Sequence, residues 1–287
     1  MNNIAVVYLS YVPFGTDFLR NFLNSYKKYK AGISHNLIIV FNGYHNEMEI
    51  EPFLEILNEA SIEFQIEKTT SKYDIDVYYF LTNKLHNFEY FLYLNTYSSI
   101  LNGNWLTHYY KILNQDGVGC VSATGVWGDF KHILDYEKAL NRLLKFRATF
   151  NDVKKIIYFR YNFYPTVGVH LRTNAFMIKR DIFLSIQRPK VKPLLIAYLF
   201  GLNRKKIRSF CFEHGNNSFS KQLIYKGYKI KIVNKYGLGL NVEQWADSNV
   251  YWNGTQENLL IEDNQTMKYQ NSSTEVRKTL TFIAWGI

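Results

Sequence analysis

The sequence predicts an α/β protein: a mostly parallel sheet flanked by helices, followed by a helical and irregular second half. Two observations carry this. Short apolar runs alternate with helical patterns through the first half, the order produced by parallel strands joined by helices. Tyr90-Phe91-Leu92-Tyr93-Leu94 is apolar throughout, as a central strand covered on both faces must be.

The elements follow in order. Ile4–Leu9 reads as a buried strand, and after Pro13-Phe14-Gly15 a helix with Thr16 as N-cap carries Phe18, Leu19, Phe22, Leu23 and Tyr26 on one face. Leu37–Phe41 is the second strand and stops at Asn42-Gly43. A helix starts at Pro52, Ile62–Ile66 alternates as a strand, and Asp76–Leu85 is helical. Tyr90–Leu94 ends in the polar cluster Asn95–Ser99, a helix begins at Asn104 or Trp105, and Val118–Ser122 is a further strand. Beyond it, Leu134–Tyr161 reads as mostly helical and basic, and His170–Ile178 contains a strand. Lys229–Val233 alternates, and Thr274–Trp285 closes the chain as a helix. With no internal repeat or low-complexity linker, residues 1–287 read as one domain, divided into a first half to residue 126 and a second from 127.

Composition narrows the function. At 47% hydrophobic and 20% charged residues, the 287-residue chain is not largely disordered. Cys120 and Cys211 are its only cysteines, which excludes a disulfide framework or a CxxC zinc module. The chain shows neither a basic signal-peptide start nor a run of about 18 apolar residues. The expected setting is therefore cytoplasmic, free or at the inner membrane face. The excess of 34 Lys+Arg over 24 Asp+Glu, a net charge of +10, favours an anionic partner. Nucleic acid is not the expected one, because the aromatics are not interleaved with basic residues and no helix-turn-helix or zinc pattern appears.

In open α/β sheets ligands bind outside the carboxyl ends of the strands. That rule selects Ser10 and Tyr11, then Asn42 and Tyr44, then Asp74 and Asp76, then Asn95, Tyr97 and Ser98. Neither GxGxxG nor a Walker A sequence is present, which argues against nicotinamide dehydrogenases and P-loop NTPases. A rim of Tyr, Asn, Asp and Ser suits stacking on a base and hydrogen-bonding a ribose.

Several segments together resemble the nucleotide-sugar glycosyltransferases of the GT-A fold, in particular family-2-like bacterial enzymes of polysaccharide biosynthesis. They are Tyr8-Leu9-Ser10-Tyr11, Phe41-Asn42-Gly43, Phe91 through Ser98, Gly103-Asn104-Trp105-Leu106 and Gly117 through Val121. The likeness resumes at His170–Phe176, Phe212–Gly215, Glu257–Leu260 and Asp263–Thr266. It implies a donor of the UDP, dTDP or GDP type, a glycan or lipid-linked acceptor, and inverting transfer. Glu213 would be the base; His170, Arg172 and His214 would meet acceptor or diphosphate. The pattern departs at the fourth strand, where relatives carry Asp-x-Asp for a divalent cation and this chain has Asn95-Thr96-Tyr97. Mg²⁺ and Mn²⁺ prefer anionic oxygen. Either Asp74 or Asp76 restores a cation site, or Lys, Arg and Tyr donors meet the leaving group without metal; the second is preferred.

Two rival readings stand beside this one. A missing Asp-x-Asp also fits an inactive glycan- or nucleotide-binding protein. A sugar-phosphate nucleotidyltransferase is disfavoured because Tyr11-Val12-Pro13-Phe14-Gly15 lacks a basic residue. Arg188–Arg208, an apolar stretch with basic flanks, suits either a buried helix or peripheral contact with an anionic membrane.

Overall fold

The computed structural model describes residues 3–71, 73–163, 168–188 and 204–287, the side chains of 204–207 excepted. Its strands are β1 (Ile4–Tyr11), β2 (Asn36–Asn42), β3 (Gln65–Thr69), β4 (Tyr90–Leu94), β5 (Ser99–Ile100), β6 (Val118–Ser122), β7 (Gly125–Val126), β8 (His170–Leu171), β9 (Ala175–Lys179), β10 (Lys229–Val233), β11 (Gly239–Leu240) and β12 (Ile261–Glu262). Eight of them form one sheet in the order β11-β10-β6-β9-β4-β1-β2-β3. β1 to β4 are mutually parallel, with Tyr8 opposite both Ile39 and Leu94. β9 runs antiparallel between β4 and β6, and β10 is parallel to β6.

Side-chain alternation splits this sheet between two cores. Ala5, Val7, Leu9, Phe91, Tyr93, Phe176 and Ile178 enter one. Ile4, Val6, Tyr8, Leu92, Leu94, Ala175 and Met177 enter the other. Each buried Val, Leu, Ile, Phe or Met side chain contributes about 1.5–3 kcal/mol by leaving water, so apolar residues on both faces of β1 and β4 force a layer onto each face. Helices α1 (Asp17–Lys28), α2 (Glu51–Glu59) and α4 (Trp105–Leu113) cover the second core with Phe22, Leu57 and Trp105. α3 (Asp74–Lys84) covers the first with Val77 and Leu81. α5 (Phe130–Leu144) and α6 (Phe150–Asn162) form a hairpin with its own small cluster around Phe159 and Phe163. α7 (Arg180–Leu184), α8 (Arg204–His214), α9 (Phe219–Tyr225), α10 (Asn264–Gln270) and α11 (Thr274–Trp285) complete the chain.

Several boundaries differ from expectation. The third strand is Gln65–Thr69 rather than Ile62–Ile66, because Ile62 packs onto the core before the chain joins the sheet edge. α3 begins at Asp74, two residues early. The long helical stretch breaks at 145–149 into α5 and α6. Thr16 holds the N-cap position of α1 without a side-chain cap bond. Glu213 lies in the last turn of α8. Most of the basic-flanked stretch, residues 189–203, lies outside the described residues. Among the described residues no helix is long and apolar enough to cross a membrane.

Candidate functional site

The carboxyl ends of β1, β2 and β4 open into a cleft of about 560 Å³. Thr96 fastens two of these ends together. Its hydroxyl donates to the Leu9 carbonyl (2.7 Å) and accepts from the Tyr11 N–H (3.1 Å), while the Tyr8 hydroxyl donates to the Thr96 carbonyl (2.7 Å). Asn95 Oδ1 accepts from the Tyr97 N–H and the Ser98 hydroxyl, each at 3.1 Å, a side-chain-closed turn. That turn sets the Tyr97 ring against Phe14 and Phe18, with centroids 5.4 and 4.9 Å away. Tyr11 packs edge-on to Phe14 at 4.8 Å and lies over Gly43, where φ is +82° and a Cβ would overlap the ring. Only glycine suits both demands.

The opposite wall exists because β9 is antiparallel. Leu94 pairs with Ala175, so Arg172, Thr173 and Asn174, which lead into β9, arrive at the carboxyl end of β4. The Asn95 N–H donates to the Asn174 carbonyl (3.0 Å) and closes the junction. Thr173 then holds Glu213: its N–H (3.0 Å) and hydroxyl (2.6 Å) both donate to Glu213 Oε1.

Arg172 is the wall's fixed cation. Nη2 lies 2.8 Å from Asp263 Oδ2, Nη1 donates to Thr124 Oγ1 (3.3 Å), and the guanidinium lies 4.5 Å from the Tyr251 ring centroid. Asp263 is fully buried, and its Oδ1 caps α10 by accepting from the N–H groups of Gln265 (3.0 Å) and Thr266 (2.9 Å). Burial works against the Arg172 charge, but Asp263, with Tyr251 and Glu213, outweighs it and keeps the guanidinium protonated. Its N–H groups face Asp263 and Thr124, and the residue lines the cleft.

Asp74 shares the cleft with Glu213. It is set among protein atoms yet open to the cavity; that desolvation, ahead of the negative charge of Glu213, raises its pKa from the usual carboxylate value. Asn42 Oδ1 and Asn174 Nδ2, on two further lining residues, are buried without hydrogen-bond partners. Buried polar atoms are nearly always paired, so these two are exceptions in the cleft wall.

The residues do not fit a divalent-cation site of the Asp-x-Asp kind. Asn95-Thr96-Tyr97 brings no carboxylate to the end of β4, Asn95 spends its carbonyl oxygen within its own turn, and Glu213 Oε1 already takes two hydrogen bonds. Among the described residues no three His, Cys, Asp or Glu side chains converge for a metal.

The structure thus brings Tyr11, Asn42, Asp74, Asn95, Tyr97, Arg172 and Glu213 together and places the other expected residues elsewhere. Ser10 shares a strand face with Tyr8 and is buried in the sheet. Tyr44 packs against the second core once Gly43 has turned the chain. Asp76, two residues and about 200° round the helix from Asp74, pairs with Arg188 at 3.4 Å. Ser98 is buried within the Asn95 turn.

His170 and His214 do not line the cleft either. They form a buried aromatic cluster with Phe163 and Phe210, and their ring centroids are 4.9 Å apart. His170 Nδ1 bonds the Gly168 carbonyl at 2.9 Å, whereas neither His214 nitrogen has a partner. Burial lowers both pKa values; Gly168, Glu213 and Asp129 only partly offset this at His170, and the neighbouring His170 lowers His214 further. Their folded values are depressed, so the unfolded chain binds protons first and stability falls as pH drops below about 6.5. His132, raised by its bond to Asp129, acts in the opposite sense. The melting temperature is expected to fall between pH 6.5 and 5, and His214→Phe to flatten that slope in a calorimetric pH series. An unchanged slope would show that the cluster does not govern it.

No protein-family model matches the chain, and no curated protein matches it in sequence. Solved structures similar to it include core-mannan synthase A from Aspergillus fumigatus in a Mn/GDP form, at 9% identity and TM-score 0.42, covering 81% of this chain and 73% of that one. GalNAc-T7 with UDP, GalNAc and Mn²⁺ is similar at 11% identity and TM-score 0.49, over 97% of this chain and 51% of that one. Staphylococcus aureus TarS 1–349 with UDP is similar at 13% identity and TM-score 0.33, over 42% of this chain and 35% of that one.

Sequence reasoning missed Phe14, Tyr73, Thr173, Asn174, Ser209 and Phe210 as lining residues, and Thr124, Tyr251 and Asp263 as the support of Arg172. Asn174 and Asp263 lie inside segments already singled out by resemblance, which was the one available signal.

Proposed function

We propose that the protein is a glycosyltransferase that moves a sugar from a nucleotide-sugar donor to a glycan or lipid-linked acceptor of a bacterial surface polysaccharide, with inversion. One observation supports this above others: a stacking ring, a fixed guanidinium and a carboxylate share one cleft at the sheet's carboxyl rim. Tyr11 offers a face to a base. In the proposed step the acceptor hydroxyl oxygen attacks the anomeric carbon and gives its proton to Glu213. The bond from that carbon to the diphosphate breaks, and the diphosphate leaves with the electron pair. Arg172 meets the charge that develops there, the part a bidentate, permanently charged donor performs best.

A thermal-shift screen of UDP, dTDP, GDP and CDP, each with Mn²⁺ or with EDTA, tests the reading. A nucleotide at a hundred times its Kd stabilises the folded chain by about 2.7 kcal/mol. At least one is expected to raise the melting temperature, equally with EDTA and with Mn²⁺. No shift with any nucleotide contradicts the reading, and a shift abolished by EDTA contradicts its metal-free form. Stabilisation without turnover of any donor sugar would favour the inactive binding protein.

A further inference from the structure

The hairpin of α5 and α6 ends in a tip unlike the rest of the surface. Phe146 is 100% exposed, Leu144 68% and Phe150 66%, with Leu143 beside them. Phe146 is also held at φ +55°, the left-handed region, directly after the C-cap residue of α5. That position normally takes glycine or asparagine, because a Cβ there costs roughly 1–2 kcal/mol. A bulky aromatic both strained and fully hydrated is doubly unfavourable for a free chain.

The tip is nonetheless firmly built. Arg142 grips Asp152 through Nε (3.0 Å) and Nη2 (2.5 Å), and the Phe146 and Arg147 N–H groups donate to the Leu143 and Arg142 carbonyls. Thr149 and Asp152 cap α6 reciprocally. The apolar side chains are therefore presented on a fixed support. Lys145 and Arg147 flank Phe146 in the chain, Lys154 lies 4.5 Å from the Phe150 ring centroid with Lys155 next to it in sequence, and the nearby Asp152 carboxylate is engaged by Arg142.

We propose that this tip inserts into an anionic lipid surface. A short apolar wedge ringed by cations supplies the two signals that reversible membrane binding needs: apolar side chains for the acyl boundary and positive charge for acidic headgroups. Charge complementarity selects anionic lipid over a neutral bilayer, and Asp152, the one carboxylate within residues 142–155, is engaged by Arg142, which disfavours a basic partner. The surface differs from the basic-flanked stretch at Arg188–Arg208, and it does not depend on the transfer reaction proposed above.

Co-sedimentation of the full chain with phosphatidylcholine vesicles, alone or mixed with phosphatidylglycerol, tests this. Binding is expected to be about tenfold or more stronger to the mixed vesicles and to weaken with salt. Leu144→Glu combined with Phe146→Glu should lower it by about tenfold or more with the melting temperature unchanged, because both side chains are exposed. Phe146→Gly separates lipid binding from stability: it should weaken vesicle binding while raising the melting temperature by about 2 °C, since glycine relieves the left-handed strain. A chain that stays in solution with mixed vesicles at low salt overturns the proposal, as do variants that bind like the wild type. A concentration-dependent dimer that the double substitution makes monomeric, without vesicle binding, would also overturn it and assign the tip to a second copy.

Discussion

Replacing Glu213 with glutamine is expected to slow sugar transfer by about a hundredfold to ten-thousandfold, the usual contribution of a positioned proton acceptor. The substitution removes little else. A glutamine carbonyl can still accept from the Thr173 N–H and hydroxyl that now bond Glu213 Oε1, so the last turn of α8 and the cleft wall should keep their shape. What is lost is the capacity to take the acceptor's proton. The loss should therefore fall on kcat, with donor KM and the nucleotide-induced thermal shift close to wild type. Steady-state kinetics with a hydrolysable donor, alongside the shift assay, separates the two. Wild-type turnover in Glu213→Gln would remove Glu213 from the chemistry and leave Asp74 as the other carboxylate of the cleft.

Much of the fold and part of the site could be read from the chain, and the division has physical causes. Strands apolar on both faces can only be central, so β1, β2 and β4 and their polar exits, Tyr11, Asn42 and Asn95, were legible. Single-residue choices failed where local geometry rotates a side chain away. Ser10 alternates into the sheet, Gly43 turns Tyr44 toward the core, and Asp76 follows the helix round to Arg188. The far wall was hidden for another reason: nothing in Ala175–Lys179 announces that it runs antiparallel, yet that direction alone delivers Arg172 to Asn174 to the end of β4. The pairing of Arg172 with Asp263 is likewise a product of tertiary packing, which periodicity does not encode. The resemblance assigned His170 and His214 to acceptor or diphosphate, while their surroundings of Phe163 and Phe210 make them part of a buried aromatic cluster.

Arg172→Met should have two separable consequences. The first is on stability. Asp263 is fully buried, and removing its cationic partner leaves an uncompensated charge, a change that costs about 3–5 kcal/mol. The second is on binding, since the cleft loses the cation assigned to the diphosphate. Adding Asp263→Asn to Arg172→Met tells them apart. Asparagine is as good an N-cap as aspartate and can still accept from the Gln265 and Thr266 N–H groups, so α10 stays capped while the buried charge disappears. The double substitution is expected to recover most of the lost stability in denaturant titration, because replacing a whole buried pair is far milder than breaking it. It is not expected to recover the thermal shift given by a nucleoside diphosphate. If both variants keep that shift, Arg172 does not meet the diphosphate. If Arg172→Met alone is as stable as the wild type, the guanidinium is not what holds Asp263 in the interior. Recovery of stability without recovery of binding is the pattern that only a cation serving the ligand as well as the fold produces.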